Sequence, residues 1–110
     1  MSNLVHVNSA MGKWQTLSLA EQLGNIGSEI NRALKFQGKN QQLFENAIYR
    51  ALDLFDLTIE DTRWRNRLKE ITRVREVICN TVFSDGEYST SLDDLNQYFY
   101  SFALAARKYK

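Results

Sequence analysis

The sequence has no proline, one cysteine and one histidine. Folds rich in tight turns and edge strands rarely do without proline, whereas long helices do so readily. A single cysteine, Cys79, excludes an internal disulfide and fits a reducing compartment. Cys79 and His6 stand far apart in the chain and cannot assemble a zinc site, and the Glu-x-x-His pairs of a di-metal carboxylate centre are missing. Cys–His catalysis would require His6 to fold back onto Cys79, which reads more simply as a small core residue. Gly24, Gly27 and Gly38 have neither the spacing nor the lysine of a phosphate-cradling loop. No metal, no cofactor and no catalytic residue is expected, so the chain reads as non-enzymatic. No run approaches the roughly 20 apolar residues of a membrane span. The first residues lack the basic and long apolar regions of a signal peptide, so a cytoplasmic protein is expected. The net charge of +1 supplies no general attraction to nucleic acid or an anionic membrane.

What is present reads as helix. The 110 residues suit one domain. Residues 1–15 show no period and are read as a flexible or loosely docked tail, with residues 16–110 as the helical domain. Ser18 and Glu21 form a capping box, in which each side chain satisfies a free backbone N–H of the other residue. Leu19, Leu23, Ile26, Ile30 and Ala33 follow at steps of four, three, four and three, a seam suited to shallow-angle helix packing. Gly24 and Gly27 interrupt this helix at about 1 kcal/mol each against alanine. Gly27 lies beside the seam, which points to close approach of another helix. Gly38 is a natural stop, and Asn40 caps a second helix.

The second helix has a wide apolar face, from Leu43 and Phe44 through Ala47, Ile48, Ala51, Leu52 and Phe55 to Ile59, as expected of burial on two sides. Its end is acidic, which the helix dipole disfavours. A break near Thr58, with Glu60 and Asp61 opening the next helix, resolves the conflict. The third helix is expected from about Asp61 to Phe83, with Trp64, Leu68, Ile71, Ile78 and Val82 as its apolar stripe. This stretch reads as the one around which the fold is organised. Residues 84–91 form a loop, and Thr90 or Ser91 caps a last helix. Leu92, Leu95, Phe99, Phe102, Ala103 and Ala106 face inward there, while Tyr98, Tyr100 and Tyr109 lie mostly off the stripe. Four helices of about 18 to 22 residues predict an all-α, antiparallel up-down four-helix bundle.

Two constellations merit testing for function. Arg75 interrupts the apolar stripe of the third helix, so it must be paired or reach the edge of the fold. Glu29, Asp53 and Asp56 are its candidate partners. The set reads as a structural polar network or, alternatively, as an anion or nucleotide site between helices. Arg63, Arg65, Arg67, Lys69 and Arg73, beside Trp64, make a basic helix that can follow a phosphate backbone. Glu70 and Glu76 interleave with them, and an ordinary solvated face explains the pattern as well. Tyrosines left outside the core would mark an interface, and a homodimer through the first or last helix is the natural way to hide a second apolar face.

The stretches LSLAEQLGNIGSEINRAL (residues 17–34), RALDLFDLTIED (50–61), RLKEITRVREVICN (67–80) and YFYSFALAARKY near the end resemble a group of short, uncharacterised all-helical bacterial and archaeal proteins. That resemblance implies a helical bundle and no activity. More distantly, the layout is similar to HEPN and ribosomal-S23-type four-helix bundles, which often act with RNA or as parts of toxin–antitoxin pairs. The HEPN catalytic motif places a histidine shortly after an arginine, and no arginine here is so followed. The expectation is therefore an interaction module that self-associates, with RNA or nucleotide binding through residues 63–75 as the alternative.

Overall fold

The computed structural model describes residues 12–83 and 92–108. Every regular element among them is helical: an N-terminal helical turn over residues 12–14, α1 (Leu19–Phe36), α2 (Gln41–Glu60), a 3-10 segment (Thr62–Arg67), α3 (Leu68–Phe83) and α4 (Leu92–Lys108). None of these helices is long and apolar enough to cross a membrane. The expected loop at residues 84–91, its capping residues, His6 and Tyr109 lie outside the described residues.

Local signals set the ends of α1 and the start of α2. The Ser18 N–H donates to Glu21 Oε1 at 3.0 Å and the Glu21 N–H donates to Ser18 Oγ at 3.1 Å, completing the capping box. Beyond Phe36 the chain reverses through Gly38, whose φ of 76° suits a residue without a Cβ. Asn40 Oδ1 then accepts from the Leu43 N–H at 3.1 Å and starts α2.

The centre of the fold is α1, with α2 packed along one side and α4 along the other. Its seam residues Leu23, Ile26, Ile30 and Ala33 are buried, and each fully buried isoleucine contributes about 2–3 kcal/mol. The second face is made by glycine. A Cβ at Gly27 would overlap that of Phe99, and one at Gly24 would sit 3.2 Å from Ala103 Cα, so the backbones of α1 and α4 approach closely at these positions. Phe99 in turn meets Phe55 of α2 edge-on, with ring centroids 5.9 Å apart.

This arrangement corrects the expectation that Arg63–Phe83 organises the fold. α3 leans on α2 and α4, and only Ile71 and Ile78 along it are buried. The break after α2 also falls later than expected. Thr58 is fully buried inside α2, and Asp61 ends that helix and caps the 3-10 segment. Trp64, at φ −104° and ψ 21°, departs from helical geometry, so Trp64 does not share one continuous helical stripe with Leu68 and Ile71. Of residues 1–15, only 12–15 are described, and Trp14 among them is a core residue with 7% of its surface exposed.

Candidate functional site

The densest polar constellation lies where the N-terminal turn, α1, the end of α2 and the 3-10 segment meet. Gln22 projects from α1 one residue before Leu23 and is fully buried. Its amide nitrogen donates to the Trp14 carbonyl at 2.9 Å and to Asp61 Oδ2 at 3.0 Å, while its Oε1 accepts from Trp64 Nε1 at 3.0 Å. Trp14 Nε1 donates to Thr58 Oγ1 at 3.0 Å. Each of these buried polar side chains is therefore matched, as a low-dielectric interior requires.

Asp61 is the ionic centre of this cluster. Oδ1 accepts from the Arg63 backbone N–H at 3.1 Å and from Arg63 Nε at 3.0 Å, and Oδ2 accepts from Arg63 Nη2 at 2.7 Å as well as from Gln22. The Arg63 bonds, assisted by the Gln22 amide and opposed by burial, lower the Asp61 carboxyl to about 2. Arg63 Nη2 also donates to the Leu17 carbonyl at 2.7 Å, and the guanidinium lies 4.4 Å from the Trp64 ring centroid. The carboxylate is saturated by donors, so the cluster works as a clasp that ties chain segments together. It offers no free base or nucleophile.

The clasp was not read from the sequence as a unit, although a signal for it exists. Gln22 lies three residues after Leu19 and four before Ile26, and Thr58 lies three after Phe55, so both are polar residues on apolar faces. The same criterion had singled out Arg75.

The structure separates the residues proposed to surround Arg75. Its Nε lies 3.0 Å from Asp56 Oδ1, its Nη2 is 3.5 Å from Asp56 Oδ2, and its Nη1 is 3.9 Å from Cys79 Sγ. The Nε contact is an ion pair whose angle does not make a hydrogen bond. Asp56 is 54% exposed, so the pair is a surface pair of modest value. Glu29 pairs with Arg32 at 3.4 Å instead, since α1 presents it to Trp14, Leu54 and Leu57 in a groove of about 380 Å³. Asp53 is exposed and makes no ion pair among the described residues. Of the four residues, the fold joins only Arg75 and Asp56.

The basic stretch divides as well. Arg63 belongs to the clasp, and Arg67 pairs with Glu70 at 3.0 Å. The carboxylate partner raises each guanidinium further above its ordinary value. Arg65, Lys69 and Arg73 are exposed, form no ion pair among the described residues and recur at steps of four. Beside them, Tyr98 of α4 adjoins the Arg67–Glu70 pair, and burial raises its phenol.

No group of three His, Cys, Asp or Glu among the described residues is placed to hold a metal ion. Comparison with known proteins adds no relative: no family model, no curated protein and no solved structure matches the chain.

Proposed function

We propose that this protein is a non-enzymatic interaction module that acts through protein surfaces and associates with itself as a homodimer. The scaffold we infer is an antiparallel four-helix bundle in which α3 is the loosely held member, working in the cytoplasm without a cofactor. The observation that carries the reading is the set of large apolar side chains left on the surface: Tyr100 at 59% exposed, Phe83 at 54%, Tyr49 at 53% and Leu104 at 46%. Aromatic residues are enriched where proteins meet. The deeply buried polar groups of the clasp are engaged with one another, which suits holding a shape.

A second reading is binding of RNA or a nucleotide by the basic segment. It is favoured by the three exposed cations Arg65, Lys69 and Arg73, which form no ion pair among the described residues and whose spacing can follow a phosphate chain. Sedimentation velocity over a dilution series, at low and high salt and with and without bulk cellular RNA, decides between the readings. The expected result is a monomer–dimer equilibrium that RNA leaves unchanged. An RNA complex that disappears at high salt would replace the leading reading with the second. A monomer at every concentration that ignores RNA would remove both.

A further inference from the structure

The outward face of α4 carries a pattern that neither the core nor the clasp uses. Asp93, Gln97, Tyr100, Leu104 and Arg107 recur at steps of four, three, four and three, and all five are exposed. This is the spacing of a helix-pairing seam. Its middle is apolar, with Tyr100 and Leu104 among the most exposed large side chains of the molecule. Its ends carry opposite charges, and Asp93 and Arg107 make no ion pair with each other or with any other described residue. Along one flank runs a groove of about 380 Å³, with Tyr100, Ala103 and Arg107 of α4 and Gly24 and Ser28 of α1 among its lining.

We infer that this face of α4 is the dimer interface, occupied by α4 of a second copy running antiparallel about a two-fold axis at Tyr100. The inference deepens the proposed self-association and rests on it. The register follows from the sequence. Asp93 and Arg107 are each seven residues from Tyr100, so antiparallel pairing about that residue sets Asp93 of each copy against Arg107 of the other. Tyr100 meets its own symmetry mate, and Leu104, four residues on, falls across from positions 96 and 97, beside the aliphatic stem of Gln97. An isologous contact needs this self-complementarity, in which residue i meets j and j meets i. Parallel pairing would instead place like charges together at both ends. The cross-copy charge pairs fix direction and register more than strength.

The test measures dimer dissociation by sedimentation velocity for the full chain and four variants. Asp93→Arg and Arg107→Asp each place like charges face to face twice and should weaken the dimer about tenfold. The double variant Asp93→Arg/Arg107→Asp restores opposite charges and should return to within about threefold of the parent chain. Leu104→Asp should leave a folded monomer, since Leu104 is exposed and circular dichroism will show retained helix. A parent chain that is monomeric throughout would refute the self-association itself. A parent dimer that survives Leu104→Asp would leave self-association standing and overturn α4 as its surface. Equal weakening in the double and single charge variants would overturn the antiparallel register.

Discussion

Replacing Gly27 with alanine should destabilise the protein, although helix propensity alone predicts the reverse. In the interior of an exposed helix, alanine is favoured over glycine by about 1 kcal/mol. At Gly27 the added Cβ would overlap the Phe99 Cβ and lie 3.2 Å from its Cγ. Phe99 cannot swing aside, because it is 1% exposed and its ring is held edge-on against Phe55. Either α1 and α4 move apart along their closest approach or Phe99 leaves its rotamer, and overpacking of this kind costs about 1–3 kcal/mol. Opposed by the propensity gain, the net change should be a loss of up to about 2 kcal/mol. Gly24→Ala is the internal control. Its Cβ would meet Ala103 Cα at 3.2 Å, a misfit of a few tenths of an ångström, so strain and propensity should nearly cancel. Urea unfolding followed by far-ultraviolet circular dichroism measures both, with an unchanged slope confirming that the midpoint reports stability. A Gly27→Ala protein more stable than the parent would refute the close approach of α1 and α4.

Asp61 predicts a specific acid sensitivity. Its carboxyl is lowered from 3.8 to about 2, so the ionised form is favoured by folding; about 2 kcal/mol of stability is fully present above about pH 4 and is lost as the pH falls toward 2. Asp61→Asn should flatten that part of a stability–pH curve, and an unchanged slope would show that the clasp carries no such linkage. Thr58→Val keeps the shape of the side chain but leaves the Trp14 indole N–H without its acceptor, at about 1–3 kcal/mol. Trp14→Phe/Thr58→Val removes both partners, and a double-mutant cycle should show coupling between the sites; strict additivity would contradict the bond. Arg75→Met should cost less than about 1 kcal/mol in thermal unfolding, because its partner Asp56 is more than half exposed. A larger loss would restore Arg75 to the structural importance its place in the sequence suggested.

The parts of the fold that were legible in the sequence are those set by neighbouring residues. Ser18 with Glu21, Gly38 and Asn40 each act within a few residues, and each marks an end of α1 or the start of α2 as expected. The hub was misplaced because hydrophobic periodicity counts side chains. α1 shows one seam in that count, and its second packed face is built from the absence of side chains at Gly24 and Gly27. Residues 61–83 look stronger by the same measure, yet the Asp61 carboxylate draws the Arg63 backbone toward itself and opens a 3-10 segment. The apparent stripe from Trp64 onward is thereby broken. The acidic partners of Arg75 could be nominated by type but not chosen, since the choice depends on which helices become neighbours. The clasp joins residues about 40 positions apart, including Gln22 with Asp61 and Trp14 with Thr58, and a one-dimensional pattern contains no term for such distances.

The most direct measurement is intermolecular cross-linking at the proposed two-fold axis. In a Cys79→Ser background, Tyr100→Cys places one thiol per copy at the point where α4 would meet its symmetry mate, and Asp53→Cys places one on an exposed position away from it. Under mild oxidation, self-association through α4 predicts a disulfide-linked species of twice the 12.8 kDa chain mass for Tyr100→Cys and none for Asp53→Cys. Failure of Tyr100→Cys to cross-link, or equal cross-linking at both positions, would contradict it.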